Sequence, residues 1–167
     1  KDIDNGKFIG WADPRLPTIA GLSGTGIQAE ALRNFWLELG VTQKDIAVPL
    51  ASLYSHNIKI IDDDAPRIAF IRDPVELSLE NIVDDTIELP THPNNAELGH
   101  RIINIEDRKV FIERKDLQHS KLRLKEFGDF EVDGYTATLI SKDRTDKRKI
   151  IHWVSKNSSY DARMTQV

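Results

Sequence analysis

The spacing of apolar residues changes once along this chain, near residue 65, and that change limits the fold more than any other feature. Up to about residue 64, apolar side chains recur at helical spacing. Beyond it, they alternate at the two-residue period of strands. One helical block followed by one block of short strands makes an α+β protein, with helices and sheet segregated. Residues 27–39 carry the clearest stripe, with Ile27, Ala31, Leu32, Phe35, Trp36 and Leu39 on one side and Gly40 placed for a left-handed cap. Thr18 suits the N-cap of a short helix that Gly24 and Gly26 break. Thr42-Gln43-Lys44-Asp45 has the spacing of a capping box. A further helix is expected over 50–61. The run Asp62-Asp63-Asp64 opposes the negative end of its dipole and stops it.

Strands are expected over 67–72, 75–80, 86–89, 109–113, 121–125, 130–140 and 149–154. Asp73-Pro74 reads as a turn, Asp84-Asp85 as a hairpin turn, and 90–99 as a polar loop. Short strands punctuated by turns predict a small antiparallel β-barrel. The expected organisation is a helical segment over 1–64, the barrel over 65–155 and a polar tail over 156–167. The chain starts at Lys1, without an initiator methionine, and reads as a piece of a longer protein.

Several chemistries have no support. No cysteine is present, which removes thiolate metal sites and thiol nucleophiles. There is no glycine-rich phosphate loop followed by Lys and Ser/Thr, and no G-x-S-x-G elbow. His92, Glu97 and His100 share one loop, but their spacing matches no helical ligand pair, and no metal is expected. No apolar run approaches the ~18 residues of a membrane span.

Charge is more informative. The net charge is −4, yet residues 1–100 hold 8 basic and 16 acidic side chains, whereas 101–167 hold 15 basic and 11 acidic. A polyanion would prefer the second part. In Lys121-Leu122-Arg123-Leu124-Lys125, strand geometry puts all three cations on one face and both leucines on the other. Lys147-Arg148-Lys149 is a second basic run. Such faces either meet phosphates and base edges or protect strand edges from pairing, and spacing does not choose between these.

The stretch Gly10-Trp11-Ala12-Asp13-Pro14-Arg15-Leu16-Pro17-Thr18 resembles a signature of the glutamyl- and glutaminyl-tRNA synthetase family. The likeness continues in order through Asn57-Ile58-Lys59, Ala65-Pro66-Arg67, Arg72-Asp73-Pro74-Val75, His92-Pro93-Asn94, Gly99-His100-Arg101 and Ile150-Ile151-His152-Trp153-Val154. It therefore covers nearly the whole chain. It implies the anticodon-binding part of a class I synthetase, with a helical segment along the tRNA and a proximal barrel at the anticodon. ATP and magnesium would belong to a catalytic domain outside this chain, so no catalytic residue and no cofactor are expected here. The implied partner is glutamate tRNA, with glutamine tRNA as a second candidate, in a cytoplasmic monomer. By the resemblance, Arg67 approaches the middle anticodon base. Lys121, Arg123 and Lys125 lie on the strand that contacts the anticodon, and Asn94 lies near the anticodon stem.

Three departures stand out. Ala12 replaces the family's usual aspartate, and Ser23-Gly24-Thr25-Gly26 stands where arginines are usual, which weakens contacts to the inner limb of the tRNA. The segment Asp116 to Ser120 is short, as in the archaeal glutamate branch. A glutaminyl-tRNA synthetase fragment, a free-standing RNA-binding barrel and a structural domain without RNA affinity are the alternatives.

Overall fold

The computed structural model describes residues 3–41 and 47–164. The capping box at Thr42 to Asp45 lies outside them, as do the last three residues of the expected tail. The described residues up to Ala65 form one compact unit, and Pro66–Ala162 form another. The α+β class follows directly.

The first unit opens on a loop folded around one carboxylate. Asp13 is buried and accepts bonds from the backbone N–H of Ile9 (3.0 Å) and Arg15 (2.9 Å), and from the Arg15 guanidinium at 2.9 and 2.7 Å. That guanidinium holds the Asp13 carboxyl well below the usual carboxylate range, and it also lies 4.9 Å from the Phe8 ring. Helix α1 (Ile19–Gly24) starts at Thr18, whose hydroxyl accepts from the Gly21 N–H at 2.9 Å. Gly21 is required sterically: a Cβ there would lie 2.3 Å from the Leu16 carbonyl oxygen.

Helices α2 (Ala29–Leu39) and α3 (Leu50–Ile61) pack around Ala31 and Leu53. Trp36, although on the apolar stripe, stays exposed. Asn57 of α3 ties the pair together, because its Oδ1 accepts the Gln28 N–H (2.8 Å) and its Nδ2 donates to the Gly26 carbonyl (3.2 Å). A side chain from the neighbouring helix thus satisfies a donor that α2 leaves unpaired at its N-terminus.

In the second unit, seven strands curl around one core in the order β8-β5-β6-β7-β1-β4-β9. They are β1 (Pro74–Glu80), β4 (Lys109–Glu113), β5 (Lys121–Leu124), β6 (Gly128–Asp133), β7 (Thr136–Ser141), β8 (Lys149–Ile151) and β9 (Val154–Ser155). β2 (Thr86–Pro90) and β3 (His100–Asn104) form a separate antiparallel pair. In β1, Val75, Leu77 and Leu79 point inward and the residues between them do not, as alternation requires. Leu122, Leu124, Val110, Ile112 and Phe130 complete the interior, and Phe127 stacks edge-on to Phe130 at 5.1 Å.

Five expectations change. The strand over 149–154 is two, β8 and β9, at opposite edges of the sheet. The sheet is mixed, because β1 pairs with β7 and β5 with β8 in parallel. The single strand over 130–140 is the hairpin β6–β7, turned at Gly134 (φ 56°). Residues 67–72 join no strand ladder, and Ile68 and Phe70 are exposed. Asp84-Asp85 links strands of different sheets, and Asp85 binds Arg108 at 2.6 Å.

Phe130→Ala is expected to lower stability by ~3–5 kcal/mol through lost burial and a cavity. Ile68→Ala, at an 82% exposed site, should stay within about 0.5 kcal/mol. Urea unfolding midpoints of the two variants measure the contrast.

Candidate nucleic-acid interface

The turn after β5 begins the site. Glu126 takes a positive φ of 59°, which lets the chain reverse within Lys125-Glu126-Phe127 before β6. The backbone of Lys125 is fastened on both sides. Its N–H donates to the Ile151 carbonyl (3.0 Å), and its carbonyl accepts the Trp153 indole N–H (2.9 Å). Trp153 is buried, lies 5.2 Å from Phe127 and belongs to the core.

Beside this turn lies a cavity of about 100 Å³. Ile68, Ala69, Leu89, Pro90, Pro93 and Trp153 supply apolar wall, while Arg67, Arg101, Lys125 and His152 supply polar groups. Three cations face one carboxylate, that of Glu126. The Nε of Arg101 is buried and has no hydrogen-bond partner among the described residues. Arg67 is held by its backbone N–H, which donates to the Thr91 carbonyl at 2.9 Å. The volume is well under the ~300–1,000 Å³ of pockets that enclose small molecules. It suits a single group, such as a base edge or a phosphate, seated against cations and an apolar wall.

Of the residues expected at the site, Arg67 and Lys125 therefore come together. Asn94 follows Pro93, and its N–H donates to Nδ1 of the buried His92 at 3.1 Å. Lys121 is exposed at the start of β5, whereas Lys125 lies in the turn beyond its end, and Lys121 pairs with Glu131 at 3.5 Å. Arg123 differs from both lysines. Its side chain is only 17% exposed, and its guanidinium donates to Asp129 (2.6 Å) and to the Lys142 carbonyl (2.9 Å). The second basic run divides as well: Lys147 and Lys149 are exposed, whereas Arg148 turns inward to Asp146 (2.6 Å) and the Phe130 carbonyl (2.8 Å). Sequence reasoning did not single out Arg101, His152 or Trp153 as site residues. Their signal was a basic residue and an aromatic pair inside stretches already noted as Gly99-His100-Arg101 and His152-Trp153.

Asp129 is completely buried and also accepts the N–H (2.9 Å) and hydroxyl (2.8 Å) of Thr145. Burial pushes its carboxyl up. The bonds from Thr145 and the Arg123 guanidinium outweigh that and hold it at about 2.

Residues 65–146 match the family described as tRNA synthetases class I (E and Q), anti-codon binding domain. These residues belong to this family. It is also similar to full-length relatives named glutamate–tRNA ligase: 38% identical to that of Methanosarcina mazei over 92% of this chain, and 34% identical to those of Archaeoglobus fulgidus (95%) and Pyrococcus furiosus (92%). The chain spans only 29% of the length of each of these three relatives. The described residues contain no group of three or more His, Asp or Glu that could hold a metal ion. Nor does the sequence carry a glycine-rich phosphate loop. No helix among the described residues is long and apolar enough to cross a membrane.

The Asp129 network sets a pH dependence. Its folded value lies below the ~3.9 of an unfolded aspartate, so its contribution is complete above that value and is lost as pH falls from about 4 toward 2. Asp129→Asn should flatten that acid limb, read as the difference between the two proteins' stability–pH curves.

Proposed function

We propose that this chain is the anticodon-arm-binding portion of an archaeal-type glutamate–tRNA ligase, and that its seven-stranded unit is that enzyme's proximal barrel. The observation that carries the reading is the convergence of Arg67, Arg101 and Lys125 on one apolar-walled pocket. An arginine fork donates two hydrogen bonds in one plane, which matches a base edge or a phosphate. The indole and prolines offer flat apolar surface for an unstacked base, the form in which RNA sequence is usually read. Lys121 and Asn94 extend the contact along the surface, on the anticodon and stem sides respectively.

Glutamate tRNA is the proposed partner, and glutamine tRNA is the comparison that measures selectivity. The parent enzyme is proposed to work as a cytoplasmic monomer, with ATP and magnesium handled by its catalytic domain. The names of the similar archaeal ligases support this reading. So does the excess of basic over acidic side chains after residue 100.

Arg67→Ala in the full-length enzyme is expected to raise KM for tRNA about 10-fold or more, in line with ~1–3 kcal/mol for a bidentate contact, while KM for ATP and glutamate stays the same. An unchanged tRNA KM would remove Arg67 from the interface. Lys125→Ala should lower the slope of log Kd against log salt by about one unit if it meets a phosphate. Filter-binding titrations across salt concentrations supply that slope.

A further inference from the structure

We propose that the loop over 142–148, with Lys149 at the start of β8, is a second contact for the RNA backbone, and that Arg123 serves it as a positioning residue instead of reading a base. This rests on the tRNA-binding reading above.

The loop connects β7 to β8 without regular structure of its own, yet it is fastened from inside at three points. Arg123 donates to the Lys142 carbonyl, Thr145 gives two hydrogen bonds to Asp129, and Arg148, 5% exposed, reaches the Phe130 carbonyl. Lys142 also pairs with Asp84 across to the connection after β1. A fully buried carboxylate is a poor way to gain stability, because an apolar side chain of similar size does as well. What such a network fixes is geometry. Here it fixes a loop that carries Arg144 and Lys147 and leads into Lys149 of β8, all three exposed and without an ion-pair partner among the described residues. The one acidic side chain of the loop beside them is Asp143, since Asp146 is neutralised by Arg148. Three cations on and next to a pinned loop are arranged for a polyanion, and the partner chemistry that fits is the phosphate backbone of RNA.

Arg123 cannot serve both purposes. Turning its guanidinium out to a base would strip Asp129, which is completely buried, of its shortest ion pair and release the Lys142 carbonyl. Its chemistry is already used inside the protein, and its effect on RNA passes through the loop.

The test uses the full chain and transcribed glutamate tRNA, with wild-type and substituted anticodons, titrated at several salt concentrations. Arg144→Ala with Lys147→Ala, both at exposed positions, is expected to weaken binding about 10-fold and to lower the salt slope by about two units. Arg123→Ala and Asp129→Asn should weaken binding by a similar factor on every anticodon, and should speed hydrogen exchange at the Thr145 amide. Wild-type affinity in the exposed double variant would overturn the proposal alone, and it decides the matter even if Asp129→Asn fails to fold. So would an Arg123→Ala loss confined to one anticodon base with Thr145 exchange unchanged. A wild-type chain that does not bind tRNA at all would overturn the underlying reading as well.

Discussion

The burial of Leu122 and Leu124 on one face of β5 is the constraint on which the rest of the strand-rich unit depends. Side chains on a strand alternate strictly, so a register slip of one residue would put Lys121 and Arg123 into the core and both leucines into water. The pairing of Leu122 with Phe130 and of Leu124 with Gly128 locks the register. Gly128 allows the close approach, since a Cβ there would sit 2.7 Å from Leu139 and from the Ser141 carbonyl. The positions of the cations are thus a consequence of apolar packing, before any RNA is considered.

Each of the two units organises its least regular backbone around one buried carboxylate. Asp13 gathers the loop before α1, and Asp129 gathers the segment after β7. Both are paired with arginine, and both accept backbone N–H groups that no helix or ladder satisfies. A charge is expensive to bury unpaired, so these aspartates tolerate little rearrangement around them. That is a useful property where an irregular segment must keep one shape.

Much of this was legible in the sequence. The helix over 50–61 and the alternation of β1 follow from periodicity, and Thr18 caps α1 as its position suggests. The β6–β7 hairpin was missed although Asp133-Gly134 is a strong hairpin signal, because apolar residues on both sides seemed to continue one strand. β3 pairs only with β2 and leaves Ile102 exposed, so its residues show little of a buried face. Residues 67–72 alternate, but with Ile68 and Phe70 exposed, the reverse of a core strand. Asp129 is the clearest limit. An aspartate in a strand reads as a wet position, and only the folding back of Thr145 and Arg123 gives this buried carboxylate its three hydrogen bonds. The same limit hides the difference between Arg123 and its neighbours Lys121 and Lys125, which one-dimensional spacing treats as equivalent.

The indole N–H of Trp153 donates to the carbonyl of Lys125, and the pocket wall runs from Arg67 to that same tryptophan. The pieces lie far apart in the chain, so closing the pocket carries a large loop-closure entropy and ranks among the least local contacts of the unit. During synthesis, a ribosome that has released β1 to β7 has not yet delivered the residue that fixes the Lys125 turn. The pocket is therefore complete only in the finished domain, and a nascent chain lacking the Trp153 strap would not yet have it.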